Sequence, residues 1–166
     1  PILTGLDESD PEGERIGKRH GEIFRERYLP RLRVFHGTHA FLERLASAGA
    51  TLVIASSAGS EVLAAMLKHA KLEKLIDDRT SSGDVESSKP DPDVVQAALK
   101  KAGAKAKDAI FIGDTPYDIE AAGRAGVRCV AVRCGGWWSD EELKGAVAIY
   151  DDPDDILDYW DTSPFA

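Results

Sequence analysis

The strongest constraint on this chain is a hydrophobic period that changes repeatedly along it. Residues 51–55 (TLVIA), 109–113 (AIFIG) and 127–132 are short, continuous apolar runs, and residues 147–150 form a shorter one. Runs without polar alternation, rich in β-branched residues, are the pattern of strands buried on both faces. A weaker strand is expected near residues 76–80. Between the runs the spacing turns helical. Val62, Leu63, Met66 and Leu67 follow Gly59–Ser60, and Val94, Val95, Ala98 and Leu99 precede the stop at Gly103. Asp91 and Pro92 offer an N-cap and an N1 proline to the second of these helices. Thr115–Pro116 starts another in the same way. Strands alternating with helices of about ten residues predict the α/β class, a parallel sheet with helices on both faces.

The beginning of the chain differs. Residues 12–28 read as one charged helix with Ile16, Ile23, Phe24 and Tyr28 at helical spacing, ended by Pro30. A linker follows through residues 33–37, then a helix carrying Phe41, Leu42 and Leu45 with Gly49 as its stop. This composition boundary divides the chain into a helical appendage, residues 1–33, and a sheet domain, residues 34–166. There is no internal repeat and no low-complexity tract.

Charge narrows the partners. Lys and Arg total 21 against 29 Asp and Glu, a net charge of −8. That balance argues against a broad nucleic-acid footprint, which needs a basic face to neutralise phosphates. No apolar run is long enough for a membrane span, and the opening PILTGLDESDPEG has neither the basic nor the apolar region of a signal peptide. Cys129 and Cys134 fall on opposite faces of a strand and form no CxxC or zinc set. Reduced cysteines in a cytoplasmic protein are expected. His20, His36, His39 and His69 show no ligand spacing and read as surface or packing residues.

Ligands of open α/β sheets collect at the carboxyl ends of the strands, so the residues after each run carry the most information. Ser56 and Ser57 follow TLVIA; SSKPD, with Lys89, follows the weak strand; GDTPYD, with Asp114 and Asp118, follows AIFI. Each has a plain structural reading. The serines form a turn or cap a helix, Lys89 is a solvated lysine, and Asp118 is an N3 carboxylate favoured by capping and the helix dipole. Asp114 fits such a reading least. It follows a buried strand and a glycine, with a second carboxylate one helical turn away, a pairing suited to a hard cation such as Mg²⁺. Hydroxyls, a lysine and an acidic pair converging on one sheet edge describe phosphate chemistry. Trp137 and Trp138 either line a substrate entrance or cover the sheet edge, and DDPDD (residues 151–155) reads as a solvated helix start.

With these residues in place the sequence resembles the haloacid dehalogenase superfamily of phosphohydrolases, in its phosphoglycolate phosphatase-like group. TLVIASSA looks like the second motif of that family, with Ser56. SSKPDPD looks like the third, with Lys89 as the charge-neutralising lysine. IFIGDTPYDIEAAGRAG is similar to the fourth, with Asp114 and Asp118 as the acidic pair. The resemblance implies a Rossmann-like core and reads the first 33 residues as the trailing part of a helical cap. It also implies Mg²⁺ held by Asp114 and Asp118, a phosphate contacted by Ser56, Ser57 and Lys89, and a small phosphorylated metabolite as substrate.

The first motif of the family, DxDGT, supplies the nucleophilic aspartate, and it does not occur in these 166 residues. Asp7 and Asp10 follow no hydrophobic strand and do not take that role. In the family the strand bearing this motif lies between those ending at Ser56 and Asp114. The expectation is therefore an incomplete copy of a longer phosphatase, inactive as written, with the nucleophile segment outside this sequence or supplied by another chain. The other class is a non-catalytic phosphate- or metal-binding regulatory module.

Overall fold

A computed structural model describes residues 10–56, 58–81, 83 and 89–166. Five short strands are present at or within two residues of the apolar runs: β1 (Val53–Ile54), β2 (Asp78–Arg79), β3 (Ile110–Gly113), β4 (Arg128–Val132) and β5 (Ala148–Tyr150). All pairings are parallel. β1 pairs with β2, matching Val53 to Asp78, while β3, β4 and β5 form a second sheet in that order. Its register matches Ile112 to Val130 and Val130 to Ala148.

The helices are α1 (Pro11–Ile23), α2 (Thr38–Ser47), α3 (Ser60–Ala70), α4 (Asp93–Ala102), α5 (Pro116–Arg124), α6 (Asp140–Leu143) and α7 (Pro153–Asp158). They cover both faces. Because side chains alternate along a strand, Leu52, Val130, Val132 and Tyr150 share one face, which packs on Phe41 of α2 and Ile156 of α7. Phe111 and Cys129 share the other, against Val94 and Val95 of α4 and Ala121 and Ala122 of α5. Each fully buried valine of this kind contributes about 1.5–3 kcal/mol. Ala55 joins the α4–α5 cluster and Leu52 the α2–α7 cluster. Thus β1 belongs to the same three-layer stack as β3, although the two sheets are not hydrogen-bonded to each other. Among the described residues no strand pairs with the β3 edge away from β4 or the β1 edge away from β2.

Two expectations shift. The first helix is not one continuous α-helix: after Ile23 it widens into a π-helical turn, Phe24–Tyr28, with the Leu29 N–H donating to the Phe24 carbonyl. Pro30 has no N–H, and in an α-turn its ring crowds the carbonyl of Glu26, so the chain widens ahead of it. α4 starts one residue later than expected, with Pro92 at the cap position; the Asp91 carboxylate still accepts from the Asp93 N–H at 3.3 Å. Among the described residues, no helix is long and apolar enough to cross a membrane.

Candidate functional site

The acidic pair is built by the β3–α5 turn. Thr115 is the N-cap of α5 in an extended conformation, with Pro116 at the first helical position. Its Oγ1 accepts from the Asp118 N–H at 3.1 Å, and the Asp118 carboxylate reaches back to the cap, closing a capping box. Oδ2 of Asp118 accepts from Thr115 Oγ1 at 2.7 Å, from the Thr115 N–H at 3.1 Å and from the Asp114 N–H at 3.2 Å. Its other oxygen, Oδ1, accepts from Lys89 Nζ at 2.5 Å. Asp118 is only 3% exposed. Gly113 makes this possible, since a Cβ there would lie 2.7 Å from Cγ of Asp118.

Both oxygens of Asp118 are thus occupied by protein donors. The carboxylate that remains is Asp114, half-buried at the carboxyl end of β3. Its pKa is raised above the ordinary carboxylate value, first by burial and then by the negative charge of Asp118; its own backbone N–H and Lys89 offset this only in part. One lysine therefore faces two carboxylates, and the surplus negative charge sits on Asp114. A small hard cation fits that charge and donor type. Among the described residues no group of three or more His, Cys, Asp or Glu is arranged around a common metal position, so Asp114 is the carboxylate of this pair that a cation would meet.

Lys89 also lies over the Phe111 ring, 5.8 Å from its centroid, at a distance suited to cation–π attraction. The structure therefore joins Lys89, Asp114 and Asp118 in one cluster. Ser56 stands at the carboxyl end of β1, whereas Asp114 follows β3 of the other sheet. Its N–H donates to Thr80 Oγ1 at 3.0 Å, and its Oγ accepts from the Ala58 N–H at 3.1 Å. That is the serine-turn reading, and it leaves the hydroxyl proton available to another acceptor. Ser57 lies outside the described residues, as do Ser87 and Ser88 of SSKPD.

Two contributors escaped the sequence reading. Thr80, fully buried, ties β2 to Ser56 and Ile54 through its hydroxyl; a threonine closing a weak strand was its only signal. Gly135 lies against Asp114, as the first glycine of a Gly-Gly pair after β4. Of the two tryptophans, Trp137 is 86% exposed, while Trp138 meets Tyr117 edge-on at 5.9 Å. Asp152 of DDPDD caps α7 through the Asp154 and Asp155 N–H groups.

A model of the family described as haloacid dehalogenase-like hydrolase matches residues 6–132. A crystal structure of a hydrolase from Pseudomonas syringae, 31% identical, superposes with a TM-score of 0.83 over 97% of this chain and 76% of that one. The phosphoglycolate phosphatase of Rhodospirillum rubrum is 31% identical over 119 residues, covering 72% of this chain and 49% of its own length. The (S)-2-haloacid dehalogenase 4A of Burkholderia cepacia is 34% identical over 95 residues, covering 57% of this chain and 41% of its own. The chain spans about half the length of the curated relatives it matches.

Proposed function

The chain belongs to the haloacid dehalogenase-like hydrolase family, and we propose that it forms part of a Mg²⁺-dependent phosphatase acting on a small phosphate monoester. The observation that carries this reading is the division of labour between the two aspartates. Asp118, with both oxygens occupied by hydrogen bonds, orients Lys89 and the Asp114 backbone, while the half-buried Asp114 carboxylate, its pKa raised by burial and by Asp118, is the one of the two placed to meet a ligand. Dehalogenation needs no such acidic pair, because no phosphate charge has to be offset by a metal.

In this reading Asp114 holds Mg²⁺, and Asp118 positions the site around it. When bound, the metal neutralises phosphoryl oxygens and orients the group for attack. Lys89, kept in place by Asp118 and Phe111, offsets the charge that develops on the phosphate. Ser56, its Oγ already accepting from Ala58, donates its proton to a phosphoryl oxygen. The nucleophilic carboxylate comes from a segment outside these 166 residues, seated in the break between β1 and β3. Both the strand edges left unpaired among the described residues and the partial coverage of the relatives support this. Residues 1–33 are part of the cap in the same scheme.

The test is hydrolysis of p-nitrophenyl phosphate by the natural protein and by the 166-residue chain alone, with Mg²⁺ and with EDTA. Mg²⁺-dependent turnover in the natural protein and none in the isolated chain is the expected result. Halide release from 2-haloacids without phosphatase activity would replace the reading with dehalogenation. Phosphate binding with no turnover in either would favour the non-catalytic module.

A further inference from the structure

The loop between β4 and α6 packs onto the site at Asp114. Its backbone at Gly135 lies directly behind the Asp114 side chain. A Cβ built on Gly135 would overlap Asp114 Oδ2 and stand 2.9 Å from Cγ and 3.0 Å from Cβ of that aspartate. The approaches to Oδ2 and Cγ are closer than real Cβ contacts and that to Cβ is tighter than most, and the obstructing atoms belong to a short, half-buried side chain. The demand for glycine does not come from the backbone, since Gly135 is absent from the positive-φ glycines while Gly136, at φ +76°, is among them. Gly135 is required by what it touches.

The loop is also fastened at its base. Arg133 donates to Asp140 Oδ1 and Oδ2 at 2.6 and 2.9 Å and to Asp151 Oδ1 at 2.8 Å, joining the end of β4 to the start of α6 and the end of β5. The Gly136 N–H closes back on the Arg133 carbonyl at 2.8 Å. A Ser139–Glu142 capping box fixes the exit into α6. The wall behind Asp114 is therefore held from both sides.

We infer that Gly135 is a positioning residue for Asp114: the β4–α6 loop, locked by Arg133, sets the orientation of the carboxylate that faces the ligand. This rests on the reading of Asp114 as the metal-holding carboxylate, but the contact itself does not. Outer partners that orient a ligating carboxylate typically matter 10–100-fold in metal affinity or activity.

A double-mutant cycle in the natural protein separates the two. Gly135→Ala is expected to lower the melting temperature by several degrees in the wild-type background and by little in an Asp114→Ala background, where the obstructing side chain is gone. If Gly135→Ala does not fold, recovery of the fold by Asp114→Ala is the same result. Equal losses in both backgrounds, or no recovery, would overturn the inference even in an active phosphatase. The second readout is the Mg²⁺ concentration for half-maximal hydrolysis of p-nitrophenyl phosphate. Gly135→Ala should raise it about tenfold or more while KM at saturating Mg²⁺ stays within about twofold; an unchanged Mg²⁺ requirement rejects the positioning role. If the natural protein hydrolyses no phosphate monoester, the phosphatase reading falls, and the stability cycle still decides the contact.

Discussion

Lys89 and Asp118, 29 positions apart in sequence, meet at 2.5 Å with the aspartate nearly excluded from water. Among the described residues the lysine is the one side-chain cation on that carboxylate, and three further donors hold its other oxygen. A charge buried this deeply is tolerable only because it is so fully paired.

Removing the cation therefore leaves a buried carboxylate short of a partner. Lys89→Met is expected to cost about 1.5–3 kcal/mol, the range for a lost hydrogen bond to a charged group, measured by urea unfolding of the natural protein. Adding Asp118→Asn should return part of that loss. A change below about 0.5 kcal/mol, the range of ordinary surface substitutions, would mean that the pair holds nothing in place.

Asp114 has the opposite energetics. Its folded-state pKa is raised, chiefly by burial, so the fold binds this proton more tightly than the unfolded chain does. Stability without metal then declines as pH rises from the usual carboxylate range through the raised value, and the deficit persists at neutral pH. Asp114→Asn should accordingly melt above the wild type at pH 7 in EDTA, with the advantage vanishing at a pH below about 3.9, the ordinary value. Mg²⁺ should raise the melting temperature of the wild type and leave the variant unmoved. Calorimetry across pH checks both signs.

The two aspartates should also separate in turnover. In the natural protein Asp114→Asn is expected to cut Mg²⁺-dependent hydrolysis by about 10²-fold or more, as for loss of a metal or charge-stabilising group. Asp118→Asn should cost roughly 10–100-fold, as for a residue that orients others. Activity indifferent to EDTA and to Asp114→Asn would remove the metal from the scheme.

The inner edges of β1 and β3 make a further outcome measurable. Among the described residues neither edge is paired, and unpaired edges recruit other strands. The isolated 166-residue chain is expected to self-associate in sedimentation experiments. A monomer with a cooperative melt would show that the break needs no filling.

Much of the architecture is legible locally. AIFIG becomes β3 and RCVAV becomes β4 because a continuous apolar run satisfies its backbone in a ladder while burying both faces. Asp114 and Asp118 are predictable as neighbours because Thr115 and Pro116 start a helix between them, and one helical turn is a short-range geometry. The π-helical turn ahead of Pro30 was less accessible, since the apolar spacing of residues 12–28 suits an α-helix throughout. What tertiary structure alone decided is which distant groups meet. Lys89 reaches Asp118 only after α4 and α5 pack on the same sheet face, and Gly135 stops against Asp114 only once β4 lies beside β3 and Arg133 has fastened the loop. Helix caps, turns and side-chain periodicity act over a few residues and leave their mark in the order of side chains. Contacts across 20 or 30 residues depend on how whole elements stack, and a single glycine after a strand does not say which carboxylate it will touch.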